Sequence, residues 1–105
     1  MNSIDFSAME NQIDAMYAGD VDAILNGLDH KGCLFRINAI VGAYDNNVRD
    51  FRVVEKVKSL KEDKNELDSI AVGDYAKAFL HLYGIEKYQE DKKYVKYMIE
   101  NKMDI

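Results

Sequence analysis

The sequence predicts an all-α protein, and three observations carry that reading. The chain has no Pro and no Thr but plentiful Ala, Leu, Met, Lys and Glu, which favours helix over strand by intrinsic propensity. Apolar residues recur at i, i+3, i+4 and i+7 along most of its length. No stretch alternates apolar and polar residues long enough to argue a strand; VRDFRVV comes nearest. A length of 105 residues implies one domain, 1–105, with one core. About six helices joined by short connections are expected to pack as antiparallel neighbours.

The first helix opens at Ser7-Ala-Met-Glu10, whose S-x-x-E form is that of a capping box. Met9, Ile13, Met16 and Tyr17 then mark one face, and Gly19 can take the left-handed conformation that stops it. Asp20 caps a short second helix with Val21, Ile24, Leu25 and Leu28 inward. Asp29-His-Lys-Gly32 is a turn. A third helix, about Cys33 to Tyr44, is apolar nearly all round, so other helices should surround it. Asp45-Asn46-Asn47 ends it, because short polar side chains compete with the backbone and favour turns.

A fourth helix, about 48–61, is expected to bury Phe51, Val54, Val57 and Leu60 and to turn Lys56, Lys58 and Lys61 outward. KEDKNELD follows as a solvated connection apart from Leu67. The fifth helix, about 68–83, carries Ile70, Ala71, Tyr75, Ala78, Phe79 and Leu82 on one side and ends at Gly84. The last, about 89–102, has Tyr88, Val95, Met98 and Ile99 inside and Lys92, Lys93, Lys96 and Lys102 outside.

Charge is unevenly spread. Residues 1–50 hold eight acids against three bases, whereas the remainder is balanced, and the first thirty residues have no Lys or Arg. That distribution argues against nucleic acid, whose backbone demands a basic surface, and in favour of a basic protein partner. The longest uncharged stretch, INAIVGAY, is too short to span a bilayer, and no basic stretch precedes an apolar run at the N-terminus. The expectation is a cytosolic protein. A single cysteine, Cys33, fits a reducing compartment.

RINAIVGAY (36–44) and YAKAFLHLY (75–83) share a texture 39 residues apart, and each follows a less regular helix and an acidic turn. Two helix pairs with a period near forty match the spacing of HEAT and armadillo repeats. The stretch LDHKGCLFRINAIVGAYDNN resembles the second half of a HEAT unit, with Phe35-Arg36 after the turn and Ala39 where helices pack closely. The resemblance implies that Arg36 reaches back to Asp29, or to an acid of the preceding helix, and locks the pair. The second copy has Tyr75 in place of the arginine, and a shift of 37 would put Gly73 there. The register stays open, as does the choice between a short HEAT-like solenoid and an irregular helical bundle.

Catalytic and cofactor motifs are not evident. His30 and Cys33 form one H-x-x-C pair, but a structural zinc site wants four ligands and only His81 remains to help. There is no G-x-x-x-x-G-K, G-x-G-x-x-G or H-E-x-x-H. No enzyme mechanism, metal or cofactor is therefore expected. Pairs such as Asp20/Asp22 and Glu62/Asp63 are better explained as solvated faces than as acid/base groups.

What is left is binding. In size, acidity and helical repetition the chain resembles the small acidic immunity proteins that neutralise bacterial contact-dependent toxins. That resemblance implies a basic, nuclease-type toxin domain as partner. Asp20, Asp22, Asp29, Asp45 and Asp50 would steer it, and Tyr17 and Tyr44, at helix ends beside acids, would anchor it. One alternative is an adaptor or self-associating domain. Another is an RNA-associated regulator using Lys87 to Lys102 with Tyr88, Tyr94 and Tyr97 interleaved.

Overall fold

A computed structural model describes the backbone of residues 6–104 and the side chains of 8–104. Among these the chain is all-α: six helices in a compact bundle, plus a two-stranded hairpin. α1 spans Phe6–Tyr17, α2 Val21–Leu28, α3 Cys33–Asp45 and α4 Phe51–Ser59. β1 (Glu66–Leu67) and β2 (Ile70–Ala71) lead into α5 (Val72–Leu82), and α6 is Lys93–Glu100. Among the described residues no helix is long and apolar enough to cross a membrane.

The backbone of Ser7 lies within α1, and the expected capping box falls on a side chain outside the described residues. The expected face is present, with Met16 buried and Met9 and Ile13 packed against the core. Gly19, at φ +82°, turns the chain. Asp20 caps α2 as the sequence implies, its carboxylate accepting from Ala23 N–H at 3.1 Å.

α3 is the central helix and packs on α1, α2 and α5. Its close approach to α1 depends on Gly42, where a Cβ would lie 2.6 Å from the Met16 carbonyl oxygen. Buried Arg36 carries the positive charge of this helix. Its guanidinium donates to the carbonyls of His30 (2.6 Å) and Lys31 (2.8 Å), so it does reach back into the α2–α3 turn. Its acidic partner is Asp63, beyond α4, at 2.9 Å from Nε, and not Asp29, which Lys56 engages. The Nε–H is not aligned for a hydrogen bond with Asp63, so that contact is Coulombic.

Two expected elements differ. In α4 the inward residues are Val53 and Val57, with Val54 and Leu60 half-buried, while Phe51 is 73% exposed. Positions 53, 57 and 60 form one stripe, and Phe51 lies two residues, or about 200°, around the helix from Val53. The connection read as solvated chain contains the hairpin, in which Glu66 pairs with Ala71 and Leu67 with Ile70. Its turn residues Asp68 and Ser69 both have positive φ, 52° and 70°, as a type I′ turn requires. Ile70 and Ala71 are buried strand residues and not the start of a helix, whereas Leu67 is exposed.

α5 is enclosed nearly all round. The buried Asp74 carboxylate accepts from Ala71 N–H at 3.0 Å and from Lys92 Nζ at 2.8 Å. Residues 85–92 run back along α5: Tyr88 N–H donates to His81 Nδ1, Glu90 meets Lys77, and Lys92 meets Asp74. α6 therefore begins at the same end as α5, and these two helices are not joined by a short antiparallel connection. Val95 and Met98 hold α6 on the core.

α3 and α5 lie side by side and run the same way. The hairpin that starts α5 abuts the start of α3, and the Tyr83 hydroxyl sits 3.0 Å from the Ala43 carbonyl at its end. α2 packs on α4 in the same manner. Tyr44 and Tyr83, equivalent in the 39-residue pattern, have ring centroids 6.2 Å apart.

Candidate functional site

The acids expected to form one surface divide into two groups by their partners. Arg52 holds Asp50 through Nε (3.1 Å) and Nη2 (3.0 Å), and Lys56 holds Asp29 at 2.7 Å. Hydrogen bonding from Arg52 keeps Asp50 below the usual carboxylate range, and Arg52 also feels the charge of Asp22. Asp29 and Asp50 are thus paired by the bases of α4, while Asp22, near enough for Arg52 to feel its charge, has no ion pair among the described residues. Tyr44 is half-buried in an aromatic stack with Tyr83 and Phe79, and the Arg49 guanidinium lies 4.4 Å above the Tyr83 ring. Nothing in that arrangement makes Tyr44 an accessible anchor.

Tyr17, Asp20 and Asp45 do come together. The Asn46 amide donates to the carbonyls of Tyr17 and Gly42, both at 2.9 Å, and clamps the α1–α2 turn onto the end of α3. Tyr17 is 39% exposed, and its hydroxyl donates to Asn38 Oδ1 at 2.7 Å. Burial, then the nearby Asp45 carboxylate, then Tyr75 push the Tyr17 phenol above its ordinary pKa. Among the described residues Asp45 has no ion-pair partner, and Asp20 is engaged only as a cap.

From Asp45 the surface continues along the outer face of α3. Leu34, Asn38, Val41 and Asp45 follow at i, i+4, i+7 and i+11, one stripe of the helix, and Leu34 is 39% exposed. At the far end, Cys33 Sγ contacts the Glu66 carbonyl at 3.7 Å, which sets the hairpin beside the start of α3. Leu67 there is 38% exposed. Asp68 at the hairpin turn raises the Tyr75 phenol, second to burial and ahead of Asp74. The electrostatic sequence is thus Asp45, Tyr17, Tyr75, Asp68, with the exposed leucines alongside. Sequence reasoning missed Leu34, Leu67, Asp68 and Tyr75. The available signal was an Asp-Ser dipeptide between two apolar residues, a hairpin turn in disguise.

The remaining candidates are structural. His30 stacks on Phe35 at 4.0 Å, and its Nδ1 accepts from Gly32 N–H at 2.9 Å. Among the described residues no three His, Cys, Asp or Glu side chains gather to hold a metal. A pocket of about 210 Å³ beside α5 is lined by Lys61, Lys77, Glu86 and Glu90, which pair with one another. Of the C-terminal lysines, Lys92 is held by Asp74 and Lys96 by Asp91.

No protein-family model matches this chain, and no curated protein or solved structure matches it either.

Proposed function

We propose that this chain is a non-enzymatic protein-binding module that docks a basic protein, most specifically an immunity protein covering the cationic groove of a nuclease-type toxin domain. The observation that carries the reading is the pairing pattern of the charges. Arg52, Lys56 and Lys58 of α4, Lys77 of α5 and Lys96 of α6 are engaged by acids, while among the described residues Asp45 and Asp68 have no ion-pair partner and lie on the side of exposed Tyr17, Leu34 and Leu67. Unneutralised acids around an apolar centre raise the encounter rate with a cationic surface and then give it something to dry against. The stacking of α2 on α4 and α3 on α5 supports the HEAT-like reading, since such pairs commonly serve as rigid binding scaffolds. RNA binding fits less well, because Lys92 and Lys96, central to it, are tied to Asp74 and Asp91.

The test is capture of partners on immobilised protein, with elution at low and then high salt, followed by association kinetics with the recovered protein. A basic protein released by salt is expected. The double variant Asp20→Lys/Asp45→Lys should slow its association and flatten the salt dependence. Salt-resistant recovery of a neutral protein, or of this chain alone, would refute the reading.

A further inference from the structure

The outer face of α3 has a shape of its own. It carries a carboxylate at one end (Asp45), a carboxylate beside the other (Asp68), and exposed aliphatic side chains near the second (Leu34, Leu67). Tyr17 lies across its middle, fixed to Asn38. Asp45 is eleven residues from Leu34, so the stripe is about 16 Å long, or three helical turns. A helix advancing eleven residues returns to within about 20° of the same face. Two side chains at i and i+11 of a second helix would therefore both point at α3 if that helix lay along it.

We propose that this stripe is the docking surface for an amphipathic basic helix of the partner, laid along α3 with one Lys or Arg over Asp45, another about eleven residues away at the Leu34 end, towards the hairpin that carries Asp68, and apolar residues between them on Leu34, Leu67 and Tyr17. The proposal rests on the protein-binding reading and adds the element recognised and the spacing of its charges. Charge complementarity at both ends selects a cationic helix over a second copy of this acidic chain. The exposed leucines supply the apolar anchor that helix-in-groove recognition uses. Asp29 and Asp50 take no part, because Lys56 and Arg52 already pair with them.

Two synthetic, fluorescein-labelled helical peptides of about 16 residues and identical composition test the spacing. The first carries leucines at i+4 and i+7 between lysines at i and i+11. In the second the lysines move two positions along, onto the face opposite the leucines. Fluorescence anisotropy at low salt is expected to show the first peptide binding about five-fold more tightly than the second. Asp45→Asn and Asp68→Asn should each remove about two- to five-fold of that preference. Asn suits the left-handed backbone at position 68, so that variant keeps the turn. Equal binding of the two peptides, no binding of either, or indifference to Asp68→Asn would overturn the proposal. Asp20→Lys separates the two readings, since Asp20 lies outside the stripe. If it weakens both peptides alike while no preference exists between them, the acidic-end reading survives and the stripe fails.

Discussion

Replacing Arg36 by methionine is the most informative perturbation of the fold. The guanidinium is almost entirely buried and makes three contacts: the carbonyls of His30 and Lys31, and the carboxylate of Asp63. Methionine fills most of the aliphatic volume but leaves both carbonyls without that donor. It also strands Asp63, a mostly buried carboxylate whose other support is the Asn65 backbone and side-chain amides. A hydrogen bond to a charged group is worth about 1.5–3 kcal/mol, and removing one member of a buried pair costs about 3–5 kcal/mol in total. The expected loss is about 3–5 kcal/mol, against roughly 5–15 kcal/mol for a domain of this size. With m near 2 kcal/mol/M the urea midpoint should fall by about 2 M, followed by far-ultraviolet circular dichroism. Because Arg36 joins the α2–α3 turn to the chain beyond α4, Asp63→Asn should be coupled to it. The double variant should be less destabilised than the sum of the singles, by about 1–3 kcal/mol. A loss below about 1 kcal/mol, or strict additivity, would refute the claim that this ion pair ties the two helix pairs together.

The other expectations follow from single geometries. Gly42→Ala should destabilise by about 1–3 kcal/mol in the same denaturation assay, because the new methyl meets the α1 backbone at Met16. Gly27→Ala should also destabilise, because its methyl would lie 2.9 Å from Ala39 Cβ on α3 as well as against the flexible end of Met16; an unchanged midpoint would show that α2 can move away from α3 freely. Burial pushes Tyr83 up to about 12, against the opposing pull of Arg49, and raises Tyr17 and Tyr75 as well. A raised tyrosine favours the neutral form in the fold, so its stabilisation is complete below the unfolded value near 10 and is lost as pH rises towards 12. Phenolate absorbance should accordingly show tyrosines titrating late and together with loss of helix, and a single transition of all seven near 10 would contradict this. Lys92→Met should cost about 2 kcal/mol because it strands buried Asp74, whereas Lys96→Met, at an exposed pair, should leave the denaturation midpoint unchanged.

Helices α1 to α3 were legible because their packing is written at short range. Met9, Ile13 and Met16 follow the helical period, Asp20 caps where a short acceptor precedes an apolar run, and the uncharged length of α3 announces burial. Phe51 was misread because a large apolar residue invites inclusion in any face, yet the stripe is set by Val53 and Val57. The hairpin escaped because two residues per strand give no alternation to detect, and its turn uses Asp-Ser where Asn-Gly or Asp-Gly would signal it. The path of residues 85–92 depends on Lys77–Glu90 and Lys92–Asp74, pairs 13 and 18 residues apart, which no local period encodes. The partner of Arg36 was mistaken for the same reason. The backbone carbonyls were within local reach, but Asp63 arrives only when the second helix pair stacks on the first.

For the candidate site the same distinction between local and stacked contacts decides the outcome. Composition shows that the first half of the chain is acidic, but it counts every carboxylate equally. Stacking α4 against α2 brings Lys56 to Asp29, while Asp50 is held by Arg52 within its own turn, so these two acids are engaged within the fold. Asp45, at the end of α3, meets none of these bases, and the hairpin turn holds Asp68 on the side of Tyr75. A surface with a few free acids around exposed leucines and a tyrosine differs in kind from a broad acidic field. Under the proposed reading, apolar contact would anchor the partner and charge would set orientation, encounter rate and salt dependence. Raising the salt should therefore slow association and weaken the complex enough to release the basic partner, whereas a complex held by apolar contact alone would persist.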